Sequence, residues 1–437
     1  MLKNFLLLFL ALRAADILNL VGGLFLVPNF VDSEDLGAIL PLTTFTTAVS
    51  IPMFAIAMTA LRESARLRSL RDGIPDRGGR LQSSAESDRQ LRSFVRGVFA
   101  AVGVTSVLTL AVTAAVLPRT LERLRISDSL SGSFAVAAAF LGCVSPVYLD
   151  QLQAAKRFGA VGILEVSAAA LRLAVMAALM PFRALAGFFA GGVAKTLVQI
   201  LGPFVVLRRG GGLPASANQD DTQSYWTRDN LIHLTKTFAL LLPYLALPMF
   251  VSMTENDLVR TRLSSDDSAG YYMVTRISDL MNYFTYPILF VMFPYVTDRS
   301  SRGESCLKIV LRSCGVIFFT ALVALPVTTF FGGSIVSMLP NGDAYTAYAA
   351  DLPLLILLMT FGAAQNIVTN ALVAAGRFEF LLWFVPLNLI YMIALPRFAG
   401  ENPSLGFLVS AFSLFALTRC LFALAQLGFA SPRVSGN

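Results

Sequence analysis

The stretch Leu6-Leu7-Leu8-Phe9-Leu10-Ala11-Leu12-Arg13-Ala14-Ala15-Asp16-Ile17-Leu18-Asn19-Leu20-Val21-Gly22-Gly23-Leu24 decides the fold class. With its flanks it is apolar over the roughly 20 residues that a helix needs to cross a bilayer. Yet Arg13, Asp16 and Asn19 interrupt it at intervals of three. The same pattern returns as Arg276, Asp279 and Asn282 inside another apolar segment. An ionised side chain near the bilayer centre costs at least about 2.5–3.5 kcal/mol on insertion scales, so it faces a bundle interior or a wet cavity rather than lipid. At helical pitch, residues three apart share one face, so each triplet forms a polar stripe.

Outward from that stretch, composition agrees. The chain has 437 residues, of which 56% are hydrophobic and 14% charged, with a mean hydropathy of +0.68. Soluble domains carry about 25% charged residues. An all-α polytopic membrane protein is therefore expected, with about twelve spans near 4–28, 37–61, 94–117, 132–153, 158–181, 184–207, 236–256, 269–296, 309–331, 352–375, 379–396 and 405–428. Lys3 and the Phe5 to Leu12 run imitate a secretory signal, but apolar sequence resumes after Asp16 and continues to Val27, too long for a cleaved core. The first segment is read as an uncleaved span.

Basic residues gather on one set of loops, notably Arg62 to Arg92, which holds eight arginines against five acidic residues. By the positive-inside rule, this places both termini in the cytoplasm, and the protein is expected in the cell's inner (plasma) membrane. The net charge of +7 then reads as topology and as attraction to anionic membrane lipid, not as a nucleic-acid surface. Asp76-Arg77-Gly78-Gly79-Arg80 looks like the core of the major facilitator signature, but Gly73 stands three residues before the aspartate rather than four. It is read as chance in a basic loop. Cys143, Cys306, Cys314 and Cys420 include no Cys-x-x-Cys pair, which implies packing rather than disulfides or zinc. The single histidine, His233, makes a metal centre improbable, and no cofactor is called for. Tyr225 and Trp226, just before the seventh span, are expected to anchor at the interface, and Glu255 and Asp257 to sit near its outer end.

Arg208 to Thr235, with Gly210-Gly211-Gly212 and Pro214, separates six spans from six. The domains are read as an N-terminal six-helix lobe at 1–207, a cytoplasmic linker at 208–235 and a C-terminal six-helix lobe at 236–437. Two echoes connect the lobes. Ala154-Ala155-Lys156-Arg157-Phe158 closes the fourth span as Ala374-Ala375-Gly376-Arg377-Phe378 closes the tenth. Ser33-Glu34-Asp35-Leu36-Gly37 precedes the second span as Asp266-Asp267-Ser268-Ala269-Gly270 precedes the eighth. They argue for a parallel repeat about an axis along the membrane normal, with substrate bound between the lobes.

The candidate substrate-binding residues are Arg13, Arg276, Asn19 and Asn282, with Arg172, Lys195 and Arg312 as further cations, since guanidinium and ammonium groups in a low-dielectric cavity attract phosphate strongly. Asp16 and Asp279 are the gate or ion-coupling candidates. Two pairings fit the twin stripe: each arginine with the aspartate one turn away, or, from the matched depths of oppositely running helices, Arg13 with Asp279 and Asp16 with Arg276 across the lobes. Glu165, seven residues before Arg172, is a further neutralising candidate. No phosphate loop or nucleophile elbow occurs, so the chain is not read as an enzyme.

In its acidic-Gly step after the first span, its Ala-Ala-Lys/Gly-Arg-Phe ends, Gly270-Tyr271-Tyr272 and Phe293-Pro294, the chain resembles polysaccharide flippases. These belong to the multidrug, oligosaccharidyl-lipid and polysaccharide exporter superfamily. The resemblance implies a V of two lobes, with the first, second, seventh and eighth spans lining a central cavity. It also implies alternating-access transfer of a lipid-linked oligosaccharide from the inner to the outer leaflet, and glycan-assembly enzymes as partners. The rival on the same fold is an ion-coupled multidrug exporter.

Overall fold

The protein is seen here as a computed structural model that describes residues 2–71, 84–124, 126, 128–154, 157–209, 225–301 and 304–428. Among them the fold is entirely helical. The first half comprises α1 (Leu2–Val21), a π-helical turn (Gly22–Leu26), α2 (Val27–Phe30), α3 (Ser33–Val49), α4 (Ile51–Arg71), α5 (Ser84–Arg123), α6 (Ser129–Ala154), α7 (Phe158–Leu179) and α8 (Ala184–Arg209). The second half comprises α9 (Arg228–Arg262), α10 (Ser265–Ser278), α11 (Leu280–Ser301), α12 (Leu307–Ser337), a 3-10 helix (Gly342–Asp351), α13 (Leu352–Ala374), α14 (Leu381–Phe398) and α15 (Leu405–Gly428).

Among the described residues, ten helical segments are long and apolar enough to cross a bilayer, and α3 with α4, bent by 53°, makes an eleventh. The bend sits at Ser50, two residues before Pro52, which has no amide hydrogen to donate. Ser50 is buried there, its Oγ donating to the Thr46 and Ala139 carbonyls. The remaining segment expected to span, 269–296, is broken at Asp279 into α10 and α11. Of the twelve spans expected from sequence, the structure bends one at Ser50 and breaks another at Asp279, within its polar stripe.

The helix ends explain the sequence echoes. Asp32 caps α3 by accepting from the Asp35 amide at 2.9 Å, and Ser264 caps α10 by accepting from the Asp267 amide at 3.1 Å. The acidic residues that follow each cap complement the helix dipole. The Arg157 amide donates to the Leu152 carbonyl at 3.0 Å, and the Arg377 amide to the Leu372 carbonyl at 2.8 Å. The two Ala-Ala-x-Arg-Phe motifs therefore share a helix-terminating closure. Gly376 has a φ of +73°, a conformation that suits glycine.

Within the first half, α8 packs against α6 and α7, α1 against α7, and α4 against α5 and α6. Within the second, α13 packs against α11, α12 and α15. The halves meet where α3 lies on α9 and α10, and α4 on α9. Leu36, Ile39, Leu42 and Phe45 of α3 share one buried cluster with Ala269, Tyr272 and Met273 of α10. Ala55 and Leu61 of α4 join another, formed by α9 and α11–α15.

Tyr225 and Trp226, expected from sequence as an interfacial anchor, are packed into the fold. Tyr225 is buried, and its hydroxyl donates to Glu63 Oε1 at 2.8 Å. The Trp226 indole N–H donates to the Ser93 carbonyl at 3.1 Å. A side chain at Gly97 would collide with the Trp226 ring. The segment leading into α9 is thus plugged between α4 and α5. Residues 210–224 of the expected linker, and Asp76 to Arg80, lie outside the described residues. The loop after the second span is partly helix, since α4 runs to Arg71 and α5 starts at Ser84.

Candidate functional site

A cavity of about 430 Å³ lies between the halves, lined from Leu12 to Leu24 by α1 and the π-helical turn, by α7 and α8, and by α10 and α11. That size falls in the range of small-molecule sites. Its wall includes four cations, Arg13, Arg172, Lys195 and Arg276, and three carboxylates, Asp16, Glu165 and Asp279. Asn19 and Asn282 line it too. Eight of the nine candidate residues from sequence therefore meet in one place. Arg312 does not. It is exposed on α12 and lines no part of the cavity, because its helix packs on α13 and turns its early residues outward.

Local structure positions the groups. Below the α1 stripe, the π-helical turn Gly22–Leu26 changes the carbonyl register, a device common at functional sites. The Gly23 carbonyl accepts from the Tyr272 hydroxyl at 3.3 Å, tying the first half to α10. At the α10–α11 break, Asp279 accepts from Arg276 at 3.1 Å and from Asn282 Nδ2 at 3.2 Å. One interrupted turn thus gathers all three members of the second stripe.

The two stripes are neutralised internally. Arg13 Nη2 lies 2.8 Å from Asp16 Oδ2, and Arg276 Nη1 lies 3.1 Å from Asp279 Oδ2. Each pair is an i,i+3 neighbour, with side-chain exposures between 18% and 26%. The pairing across the halves that matched depths allow is not formed, because the partner one turn away is nearer than any across the cavity. Instead, Arg13 lies over the Tyr283 ring, 6.0 Å from its centroid, and Arg276 lies 5.1 Å over the ring of Tyr272.

The other two cations have no such partner. Arg172 Nη1 donates to Asn19 Oδ1 at 3.0 Å, and its guanidinium lies 5.3 Å over the Phe188 ring. Arg172 Nε is buried without a hydrogen-bond partner. Glu165, the neutralising candidate for Arg172, accepts from Gln199 Nε2 at 2.8 Å instead. Lys195 has no ion pair or hydrogen bond among the described residues. Neither Arg172 nor Lys195 forms an ion pair, but Glu165 and Asp16 lie close enough to attract Lys195, so Arg172 on α7 is the cation left over once three carboxylates balance three of the four. A cation buried in a low-dielectric wall without a counter-ion is poorly stabilised and gains strongly from an anion.

Glu255 and Asp257, both expected near the outer end of the seventh span, turn to different partners there. Glu255 accepts from the Tyr391 hydroxyl at 2.9 Å inside the second half, near Arg419, which is buried and donates to Asn388. Asp257 faces the other way, onto Arg123. Neighbours two positions apart on a helix point in different directions; their depth alone does not reveal that. No group of three or more metal-ligating side chains occurs among the described residues.

No family model matches the chain, and no curated protein matches its sequence. Solved structures do match. A Vibrio cholerae MATE transporter, the VcmN D35N mutant, superposes with a TM-score of 0.69 at 13% identity, covering 98% of this chain and 95% of that one. The fold is that of the MATE transporters. A MOP superfamily transporter from Pyrococcus furiosus, whose pocket is described as having reverse polarity suggesting a different function, matches with a TM-score of 0.66 at 12% identity over 98% and 95% of the two chains. The outward-facing conformation of a multidrug resistance MATE family transporter gives 0.64 at 13% identity over 98% and 97%. The chain is accordingly an all-α, multi-pass membrane protein built as two lobes around a cavity. Identities this low convey architecture, not substrate.

Proposed function

We propose that this protein is a membrane transporter that moves a lipid-linked oligosaccharide, or a related anionic glycolipid, from the inner to the outer leaflet of the plasma membrane by alternating access. The observation that supports the reading is a cavity where four cations face three carboxylates and where neither Arg172 nor Lys195 is held in an ion pair. The ligand class follows from chemistry: a phosphate or diphosphate head group takes charge-assisted hydrogen bonds from guanidinium and ammonium together. Arg13 and Arg276 are secondary contacts in this reading, released from Asp16 and Asp279 as the anion enters. Asn19 and Asn282 orient hydroxyl-rich sugar. Binding favours one access state only by its difference in affinity between states.

The test is export. Replacing Arg172 and Lys195 together by Gln, at unchanged membrane abundance, should abolish surface glycan and trap its lipid-linked precursor on the inner leaflet. Undiminished export would sink the proposal. A second reading, the ion-coupled multidrug exporter, is favoured by the three cavity carboxylates and by the multidrug transporter that shares the fold. It predicts drug sensitivity on replacement of Asp16 or Glu165, with glycan export untouched.

A further inference from the structure

A second groove, also about 430 Å³, opens at the Arg262 end of the molecule and shares no lining residue with the central cavity. It runs between the end of α5, one face of α9 and the last turns of α14. Phe250, Met253, Asp257 and Thr261 fall at helical spacing along α9, so the groove follows the axis of that helix. From Phe250 to Arg262 the helix rises about 18 Å. Half of the roughly 30 Å hydrocarbon core is about 15 Å, so the groove has the depth of one leaflet and its head groups.

Its polarity is graded over that depth. Phe250 and Met253, with Met392 of α14, form the deep end, and Arg123, Asp257 and Arg262 the shallow end. Arg123 Nη2 lies 2.5 Å from Asp257 Oδ2, with side-chain exposures of 66% and 26%. So exposed a pair contributes little, and a phosphate can compete for the guanidinium. Arg262 is exposed and has no ion pair among the described residues. Two cations against one carboxylate, above an apolar trough of leaflet depth, complement a molecule with one anionic head and an apolar tail.

The geometry points to a binding site for one anionic glycerophospholipid from the leaflet at this end, with its phosphate between Arg123 and Arg262 and an acyl chain along Phe250, Met253 and Met392. The Arg123–Asp257 pair ties α5 to α9. A phosphate that recruits Arg123 loosens that tie between the two halves, so membrane composition acts on their relative movement. This site is independent of what the central cavity carries.

The experiment uses the purified full chain in neutral detergent, with phosphatidylglycerol or phosphatidylcholine of identical acyl chains. Native mass spectrometry should retain one phosphatidylglycerol at least tenfold better than phosphatidylcholine, and the same lipid should raise the thermal midpoint. Arg123→Gln with Arg262→Gln should erase the preference, and Lys at both positions should keep most of it. Arg262→Gln alone, at an exposed position, should weaken the preference without touching the Arg123–Asp257 contact, which guards against misfolding of the double variant. Met253→Trp, filling the deep end, should lower retention of both lipids. Equal retention of the two lipids by the unaltered protein, an undiminished preference in the double Gln variant, or equal stabilisation by glycerol phosphate alone would each overturn the proposal.

Discussion

Arg172 Nη1 donates to Asn19 Oδ1 at 3.0 Å, joining α7 to the polar stripe of α1. A guanidinium has five N–H donors in a planar fork. Here one donor meets a neutral amide, and the buried Nε meets nothing. The stripe on α1 therefore does two things: it neutralises its own arginine, and it holds a second arginine from another helix facing the cavity without neutralising it.

If Arg172 receives an anion through that fork, charge alone does not replace it. Arg172→Lys should lower transport roughly tenfold or more, because hydrogen bonds to charged groups contribute about 1.5–3 kcal/mol each and an ammonium cannot form the bidentate pair. Titration of the purified protein with pyrophosphate should show weaker binding, and a smaller loss of affinity with salt, in Arg172→Gln than in the unaltered chain. Equal affinity in both would remove Arg172 from the site.

The ion pairs within each stripe make a prediction about charge swaps. Arg13→Asp alone places two carboxylates one turn apart, and Arg13→Asp with Asp16→Arg restores the pair in reverse. The double variant should recover most of the thermal stability lost by the single, a loss below the roughly 3–5 kcal/mol of a fully buried pair because these side chains retain 18% and 21% exposure. Arg276→Asp with Asp279→Arg should behave likewise. Recovery by Asp16→Arg with Arg276→Asp instead would mean that the pairs exchange across the halves in another state.

Trp226 sits where a side chain at Gly97 would be. Gly97→Val should expel the indole from between α4 and α5, at about 1–3 kcal/mol for overpacking, and red-shift its emission. Trp383 is the other tryptophan among the chain's two, so the measurement needs Trp383→Phe. Unshifted emission in Gly97→Val would show that the indole does not occupy that slot.

Tyr225 gives a pH dependence. Burial, and then the Glu63 carboxylate that accepts from its hydroxyl, push the phenol above its usual value near 10. Below about pH 10 both folded and unfolded forms keep the proton, and the bond contributes fully. Above it the unfolded chain releases a proton that the folded chain retains, so stability falls as pH rises. Thermal midpoints in detergent should therefore show a constant advantage over Tyr225→Phe from pH 6 to 9, shrinking above about pH 10. An advantage that shrinks already near pH 8 would contradict a raised phenol.

The membrane orientation is open to thiol labelling. In a cysteine-free background, Cys at Ser33, Asp343 or Asn402 should react with an impermeant reagent in intact cells, and Cys at Ser84 or Ala217 should not. Gly342 is a poor reporter, since its side chain would collide with the Val336 carbonyl. Labelling at Ala217 would reverse the topology.

Hydropathy and spacing alone determined that this chain is a helical membrane protein. They also determined that Arg13, Asp16, Asn19, Arg276, Asp279 and Asn282 are buried polar stripes, and that the Ala-Ala-x-Arg-Phe ends and acidic-Gly starts mark equivalent helix termini. These are legible because bilayer thickness and helical pitch are fixed lengths, and because caps act within a few residues. Which charge meets which was decided by the tertiary structure. The depth of Arg13 and Asp279 permitted a pair between halves, but distance in space favoured the partner one turn away. Glu165 and Arg172 share a helix face by spacing, yet Gln199 of α8 and Asn19 of α1 took them instead. Arg312 resembles Arg172 in sequence and differs in that its helix turns it outward. The interruption at Asp279 and the seating of Trp226 against Gly97 likewise depend on packing between segments far apart in the chain, which no local pattern encodes.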